Sequence, residues 1–278
     1  MPFRFVNVNG RACLEREEAY FDLERVSDGN VSADPMIALR NLDALHEISD
    51  RLNAETPDGS LQNVTLGPPV PRPRNSFGVG LNYRDHAAES AMEVPDTPVV
   101  FSKYPSCISG PFNDVELRAS RGDYEAELVV VIGRRTRDVT SAESWSHVAG
   151  LMAGQDISDR ELQMAAKPPH FGLGKSRDTY GPTGPALVST DSFVDPDDLR
   201  IQCHINGVLR QDARTSRLIF DIPHLVSYIS AILTLEPGDL IFTGTPSGVG
   251  MADGRFLVPG DSIRTTIEGI GHMENMCR

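Results

Sequence analysis

The sequence predicts a mixed α+β, β-rich fold, with a small N-terminal α/β domain over residues 1–70 and a larger domain over 71–278. Three observations carry this. Short runs of β-branched and aromatic residues are separated by glycine and proline turns, only a few helical stripes intervene, and a proline-rich break falls near residue 70. A chain of 278 residues is long enough to bury a sizeable core in such an arrangement.

The chain opens with FRFVNVNGRACLE, in which alternation is broken by Asn9-Gly10, the mark of a hairpin with a two-residue turn. A helix is expected over 35–52. Asp34 is its N-cap and Pro35 its first residue, and Ala38, Leu42, Leu45, Ile48 and Leu52 form its stripe. Then LGPPVPRPR, residues 66–74, places four prolines in nine positions, which suits a linker and neither a helix nor a central strand. Beyond it, SFGVGLN, PVVFSKYP, AELVVVIG, GPALVS, RIQCHINGVL, DLIFTGTP and DSIRTTIEGIG read as strands. Helices are expected over 84–90, 141–152, 159–166 and 223–233.

The net charge of −13 and pI near 4.9 argue against a nucleic-acid partner, which would call for a basic stripe. Arg72 and Arg74 are diluted by prolines, and Arg134, Arg135 and Arg137 suit a solvated turn. Cys13, Cys107, Cys203 and Cys277 show neither metal-binding spacing nor disulfide density, which fits a reducing compartment. The N-terminus has no apolar targeting core, and no apolar run nears the roughly 20 residues that span a bilayer. A cytoplasmic protein without membrane attachment is expected.

In DYEAELVVVIGR, Glu125 and Glu127 stand two residues apart, so on a strand they share a face, roughly 6.5–7 Å apart. An isolated E-x-E is most often a solvent-facing edge. Here the strand continues as Leu128 to Ile132, apolar on both faces, and two glutamates entering a core together need a cation. Asp156, in GQDISDRE, is either a turn or cap residue or a third carboxylate. Three oxygen ligands without His or Cys select Mg²⁺ or Mn²⁺, or Ca²⁺, over Zn²⁺.

In NYRDHAAES, His86 and Glu89 lie three residues apart, so on a helical turn they can form a surface pair or a carboxylate-oriented base. The segment could serve as a lid. FGLGKSRDTYGPTGP fails as a phosphate loop because Pro169 replaces the required glycine, but Lys175 between glycine-rich turns can meet an anion. FTGTPSGVG misses the serine nucleophile elbow because Thr245 stands where a glycine is needed. Its free amides and the hydroxyls of Thr243 and Thr245 suit a carboxylate or enolate oxygen.

Taken in order, GLNYRDHAAE, DYEAELVVVIGR, GQDISDRELQ, GKSRDTYGPTGP, NGVLRQ and LEPGDLIFTGTPSGVG resemble the fumarylacetoacetate hydrolase family, and in particular its short-chain acylpyruvase and diene-dioate isomerase branch. The resemblance covers about residues 77–271. It implies a mixed β-sandwich roll, normally a homodimer, and a Mg²⁺ or Mn²⁺ site at Glu125, Glu127 and Asp156. It also implies a water-activating dyad of His86 and Glu89, an enolate-stabilising Lys175, and substrate contacts from Arg160, Gln163 and the Gly244-Thr245 turn. The expected activity is metal-dependent hydrolysis of the C3–C4 bond of an acylpyruvate-like 2,4-dioxo acid, giving pyruvate and a carboxylic acid. The alternative is oxaloacetate decarboxylation or isomerisation of a dienol diacid at the same site. Arg177 and Gly181 depart from the family pattern and could reshape the pocket or read a second anionic group, and Arg217 stands where the family often has an acidic residue.

Overall fold

The computed structural model describes residues 2–89 and 93–278. At the first hairpin tip Asn9 and Gly10 have φ of 52° and 86°, the two left-handed residues that a tight turn between twisted strands requires. The strands they join, Arg4–Val8 and Arg11–Arg16, pair antiparallel from Phe5↔Leu14 to Val8↔Arg11.

The helix expected over 35–52 is in fact two, Pro35–Ala38 and Leu42–Arg51. Asn41 interrupts it: its backbone leaves the helical region, and its side-chain oxygen accepts the Ala44 N–H to cap a new start. The apolar stripe survives the break. Leu42, Leu45, Ile48 and Leu52 are buried in one cluster with Phe5, Val129 and Val131.

A larger correction concerns residues 141–152. Thr140 and Glu143 form the capping box of a short helix, Ser141–Ser144, but after the turn Trp145–His147 the chain becomes a strand, Val148–Gln155. That strand is buried along its whole length and pairs with Ala126–Ile132 on one side and Gly181–Val188 on the other. A continuous apolar run flanked by two partners is a central strand, and pairing here overrides the helical propensity of its Ala, Leu and Met. The helix expected over 159–166 is Arg160–Met164, with Asp159 capping it, and that over 223–233 is Ile222–Ile232, capped by Asp221. Arg84–Glu89 is helical as expected, and Ser90 lies outside the described residues.

These elements build a twelve-stranded, mostly antiparallel sheet. Ten of the strands form a path, Gly59–Ser60, Ala19–Asp22, Arg11–Arg16, Arg4–Val8, Gly181–Val188, Val148–Gln155, Ala126–Ile132, Leu240–Phe242, Ser76–Gly80, Val99–Ser102, and Leu66–Gly67 and Ile108–Ser109 pair off it. Within that path the one parallel pairing is Leu240–Phe242 on Ser76–Gly80. The N-terminal hairpin is stitched on through Arg4↔Val188 and Phe5↔Leu187. A second sheet of four strands runs Val208–Arg214, Arg200–Ile205, Ser262–Ile267, Gly271–Met276.

The period-two alternation of Ala126–Ile132 sorts the core. Leu128, Val130 and Ile132 pack with Ile201, Cys203 and Ile263 of the smaller sheet, and Val129 and Val131 join the cluster of Leu45 and Ile48. The strand is therefore clamped on both faces, and what stands at its start is held rigidly. No helix among the described residues is long and apolar enough to cross a membrane.

All four cysteines are free and buried. Burial pushes the thiols of Cys13, Cys203 and Cys277 up to about 12, so the reactive thiolate is absent at neutral pH. The native protein is expected to react negligibly with a thiol-specific disulfide reagent until denaturant is added. Rapid labelling of the folded chain would contradict the packing around these residues.

Candidate metal centre and active site

Glu125 and Glu127 stand at the head of the clamped strand, on the face that continues as Val129 and Val131. Asp156 follows directly on the neighbouring strand, and its N–H donates to Glu125 O at 2.9 Å. One carboxylate oxygen from each of Glu125, Glu127 and Asp156 can be chosen so that all lie within 4.8 Å of one another, and all three residues are buried. The three carboxylates named from E-x-E plus a distant aspartate are brought together in space.

Around the trio the charges are nearly balanced. Lys175 Nζ donates to Glu125 Oε2, to Asp156 Oδ2 at 2.8 Å and to Ser158 Oγ at 2.9 Å, which uses all three of its protons. Arg160 bridges Asp123 and Glu125, and Lys103 Nζ donates to Asp156 Oδ1 at 2.7 Å. Four buried carboxylates, Asp123, Glu125, Glu127 and Asp156, thus face three buried cations, Lys103, Arg160 and Lys175. Glu127 is the member left over. Its hydrogen bond comes from the Gly244 N–H at 2.8 Å, and no cationic side chain among the described residues bonds to it.

The electrostatics follow from that imbalance. Burial acts to raise Glu125, but Lys175, Arg160 and His86 outweigh it and hold its carboxyl well below the usual range. For Glu127, burial and the neighbouring charges of Asp156 and Glu125 act together, and its carboxyl is raised well above the usual value. An all-oxygen cluster with one uncompensated buried carboxylate fits a hard divalent cation, which would supply the missing charge.

Eight of the ten expected site residues line one cavity of about 230 Å³: His86, Glu125, Glu127, Asp156, Arg160, Gln163, Lys175 and Thr245. Phe101, Phe171, Met164 and Met251 supply apolar walls. The other two support from behind. Gly244 holds Glu127 through its amide, and Glu89 Oε2 lies 3.4 Å from His86 Nδ1 while Glu89 Oε1 accepts the Gly248 N–H at 3.0 Å. His86 and Glu89 sit on the helix Arg84–Glu89, as their spacing predicts. Gly248 has φ of +101°, and a Cβ there would lie 2.0 Å from Arg210 O, so the turn that supports Glu89 needs a glycine.

Thr245 and Gln163 are also engaged within the protein. Thr245 lines the cavity, but its hydroxyl proton goes to Ala126 O at 2.9 Å and its oxygen accepts from Gln211 Nε2 at 2.8 Å. Arg160 Nη1 donates to Gln163 Oε1 at 2.9 Å, so the Gln163 amide presents its NH₂ end to whatever the cavity holds. The departures from the family pattern lie off the cavity lining. Arg177 bonds Asp159, the cap of the helix that carries Arg160 and Gln163, at 2.8 Å, and Arg217 pairs with exposed Asp85 at 3.4 Å. Gly181 lies where a Cβ would come within 3.2 Å of Lys103 Cε.

Sequence reasoning missed Lys103 and Asp123. Lys103 is fully buried, and besides Asp156 it donates to the carbonyls of Lys175 and Tyr180. Burial works against its charge, yet the adjacent Asp156 outweighs this, and its pKa is raised. No local signal marks it, since a lysine at a strand end reads as solvated. Asp123 accepts from Arg160 Nε and from the N–H groups of Tyr124, Gly250 and Met251. Its signal was present: extending the alternation back by one step gives D-x-E-x-E.

Comparison with known proteins gives the family. The pattern of the fumarylacetoacetate (FAA) hydrolase C-terminal region matches residues 75–278. The oxaloacetate tautomerase YisK of Bacillus subtilis is 42% identical over 224 residues, covering 78% of this chain and 74% of YisK. The human mitochondrial oxaloacetate tautomerase FAHD2A is 40% identical over 228 residues, 81% of this chain and 73% of the relative. Among solved structures, a Mycobacterium smegmatis protein provisionally described as HpcE superposes with TM-score 0.92 at 42% identity, covering 99% and 98% of the two chains. Maleylpyruvate hydrolase from Sphingobium sp. SYK-6, in complex with manganese(II) and pyruvate, gives TM-score 0.83 at 28% identity over 99% and 98%. With its ordered motifs, its mixed and mostly antiparallel sheet and its buried carboxylate trio, this chain belongs to the fumarylacetoacetate hydrolase family, whose members are enzymes.

Proposed function

We propose that the protein interconverts the enol and keto forms of a small 2-oxo acid, with oxaloacetate as the first candidate. The observation that carries this is one cavity of about 230 Å³ in which a carboxylate-backed histidine, a buried ammonium and the acidic trio converge. That two relatives at 40–42% identity are oxaloacetate tautomerases supports the choice of substrate.

A divalent ion held by Glu125, Glu127 and Asp156 would polarise the keto and carboxylate oxygens of a 2-oxo acid and favour its enolate. The remaining work falls to the chain's own residues. His86, oriented by Glu89 at Nδ1, uses Nε2 to take a proton from C3 of the keto form and deliver it to the C2 oxygen, and in the reverse direction carries the enol O–H proton back to C3, so that the C–H bond broken is matched by the O–H bond formed. Lys175, with its protons committed to Glu125, Asp156 and Ser158, offsets the negative charge at the C2 oxygen by its field. The Gln163 NH₂ binds a substrate carboxylate, and the Phe101 and Phe171 walls exclude water that would screen these charges.

A second reading is hydrolysis of an acylpyruvate at C3–C4, in which His86 deprotonates a water that adds to C4 and the products are pyruvate and a carboxylic acid. The manganese- and pyruvate-bound maleylpyruvate hydrolase neighbour favours it. Decay of the ultraviolet enol absorbance of freshly dissolved oxaloacetate, measured with Mg²⁺ or Mn²⁺ and with EDTA, separates the two. The proposal expects metal-dependent acceleration without pyruvate formation. Unaccelerated decay alongside cleavage of acylpyruvates would replace it with the second reading.

A further inference from the structure

On the edge that faces away from Val148–Gln155, both backbone groups of Ala126, between Glu125 and Glu127, are held by side chains and not by a strand, while on the other edge Glu127 pairs with Gly154 and the Asp156 N–H donates to Glu125 O. Ladder pairing of Ala126–Ile132 with Leu240–Phe242 ends at Val129↔Phe242, and Thr243 adds bonds to Leu128 O before the chain turns away. Beyond that point Gln211, buried in strand Val208–Arg214 of the smaller sheet, takes over. Its Oε1 accepts the Ala126 N–H at 3.0 Å, and its Nε2 donates to Thr245 Oγ1 and Pro246 O, each at 2.8 Å. Thr245 closes the ring by donating its hydroxyl proton to Ala126 O at 2.9 Å.

Three segments therefore meet at one amide: the strand that carries both glutamates, the turn that follows Gly244, and the second sheet. Gly244 in that turn holds Glu127 through its N–H. Gln155 makes the corresponding link on the other side, accepting the Glu125 N–H at 2.9 Å and donating to Thr265 Oγ1 at 2.8 Å. Each polar atom of the Gln211 side chain is committed, and none is left for a ligand.

We propose that Gln211 is a positioning residue for the divalent cation: by tying Ala126 to the Thr245 turn it sets the spacing of the Glu125 and Glu127 carboxylates. The proposal rests on the trio being a metal site. Residues behind a ligand set typically change metal affinity by about 10–100-fold when removed, and a glutamine that only stabilises the fold leaves the affinity of the folded fraction unchanged.

The test is Mn²⁺ titration of the full chain, read by the free-ion electron paramagnetic resonance signal, for the unsubstituted protein and for Gln211→Met, with circular dichroism to confirm folding. The expected result is a Mn²⁺ dissociation constant raised at least about tenfold in the variant. Gln211→Glu keeps the acceptor for Ala126 but not the donors to Thr245 and Pro246. It carries the same expectation and serves if the methionine variant does not fold. An unchanged dissociation constant in a folded variant overturns the proposal. If the unsubstituted chain binds no Mn²⁺, the metal-site reading fails, and the proposal with it.

Discussion

Lys103→Met is expected to destabilise the metal-free protein by about 3–5 kcal/mol, the cost of taking one cation out of a buried ionic cluster. Lys103 is fully buried, and its three donors go to Asp156 Oδ1, Lys175 O and Tyr180 O, so the substitution strands one carboxylate oxygen and two carbonyls at once. Methionine fills much of the volume, so the loss comes from the unpaired polar groups and not from a cavity. Thermal unfolding in EDTA measures it: a chain of this size is expected to lose at least about 6 °C. A midpoint within a degree of the unsubstituted protein would show that Asp156 does not depend on this lysine.

His86→Ala is expected to lower kcat for the enol–keto conversion by about 10²–10⁴, the usual contribution of a positioned acid or base. The fold and Mn²⁺ affinity should remain, because His86 contributes no atom to the trio and sits on a short helix, Arg84–Glu89, at the cavity wall. That combination, slow turnover with intact metal binding, distinguishes a proton-transfer residue from a structural one. The two readings of the reaction also part here. Undiminished oxaloacetate conversion together with lost acylpyruvate cleavage would assign His86 to activating water.

The site was legible in the sequence to the extent that its signals were local or ordered. Glu125 and Glu127 announced themselves by sharing a face of a strand that goes on as buried apolar residues. His86 and Glu89 did so by helical spacing, and the first hairpin by Asn9-Gly10. Interactions between segments distant in the chain left no such trace. Lys103 meets Asp156 across 53 positions, and Gln211 meets Ala126 across 85. Neither residue differs in its neighbourhood from a solvated lysine or a strand glutamine. The strand Val148–Gln155 was misjudged for a related reason: VAGLMAG has no period, and its two sheet neighbours, not its composition, decide its state. The split at Asn41 arose because one polar side chain can cap a helix as readily as it can sit within one.

The central claim is that Glu125, Glu127 and Asp156 together hold one divalent cation in the cavity that also contains His86 and Lys175. Anomalous diffraction from crystals grown with Mn²⁺ tests it most directly. The account predicts a single strong peak at about 2.0–2.3 Å from a carboxylate oxygen of each of the three residues, absent from crystals of Glu127→Ala. A peak elsewhere on the chain, or Lys175 still bonded to Glu125 and Asp156 with no peak beside them in saturating Mn²⁺, would contradict it.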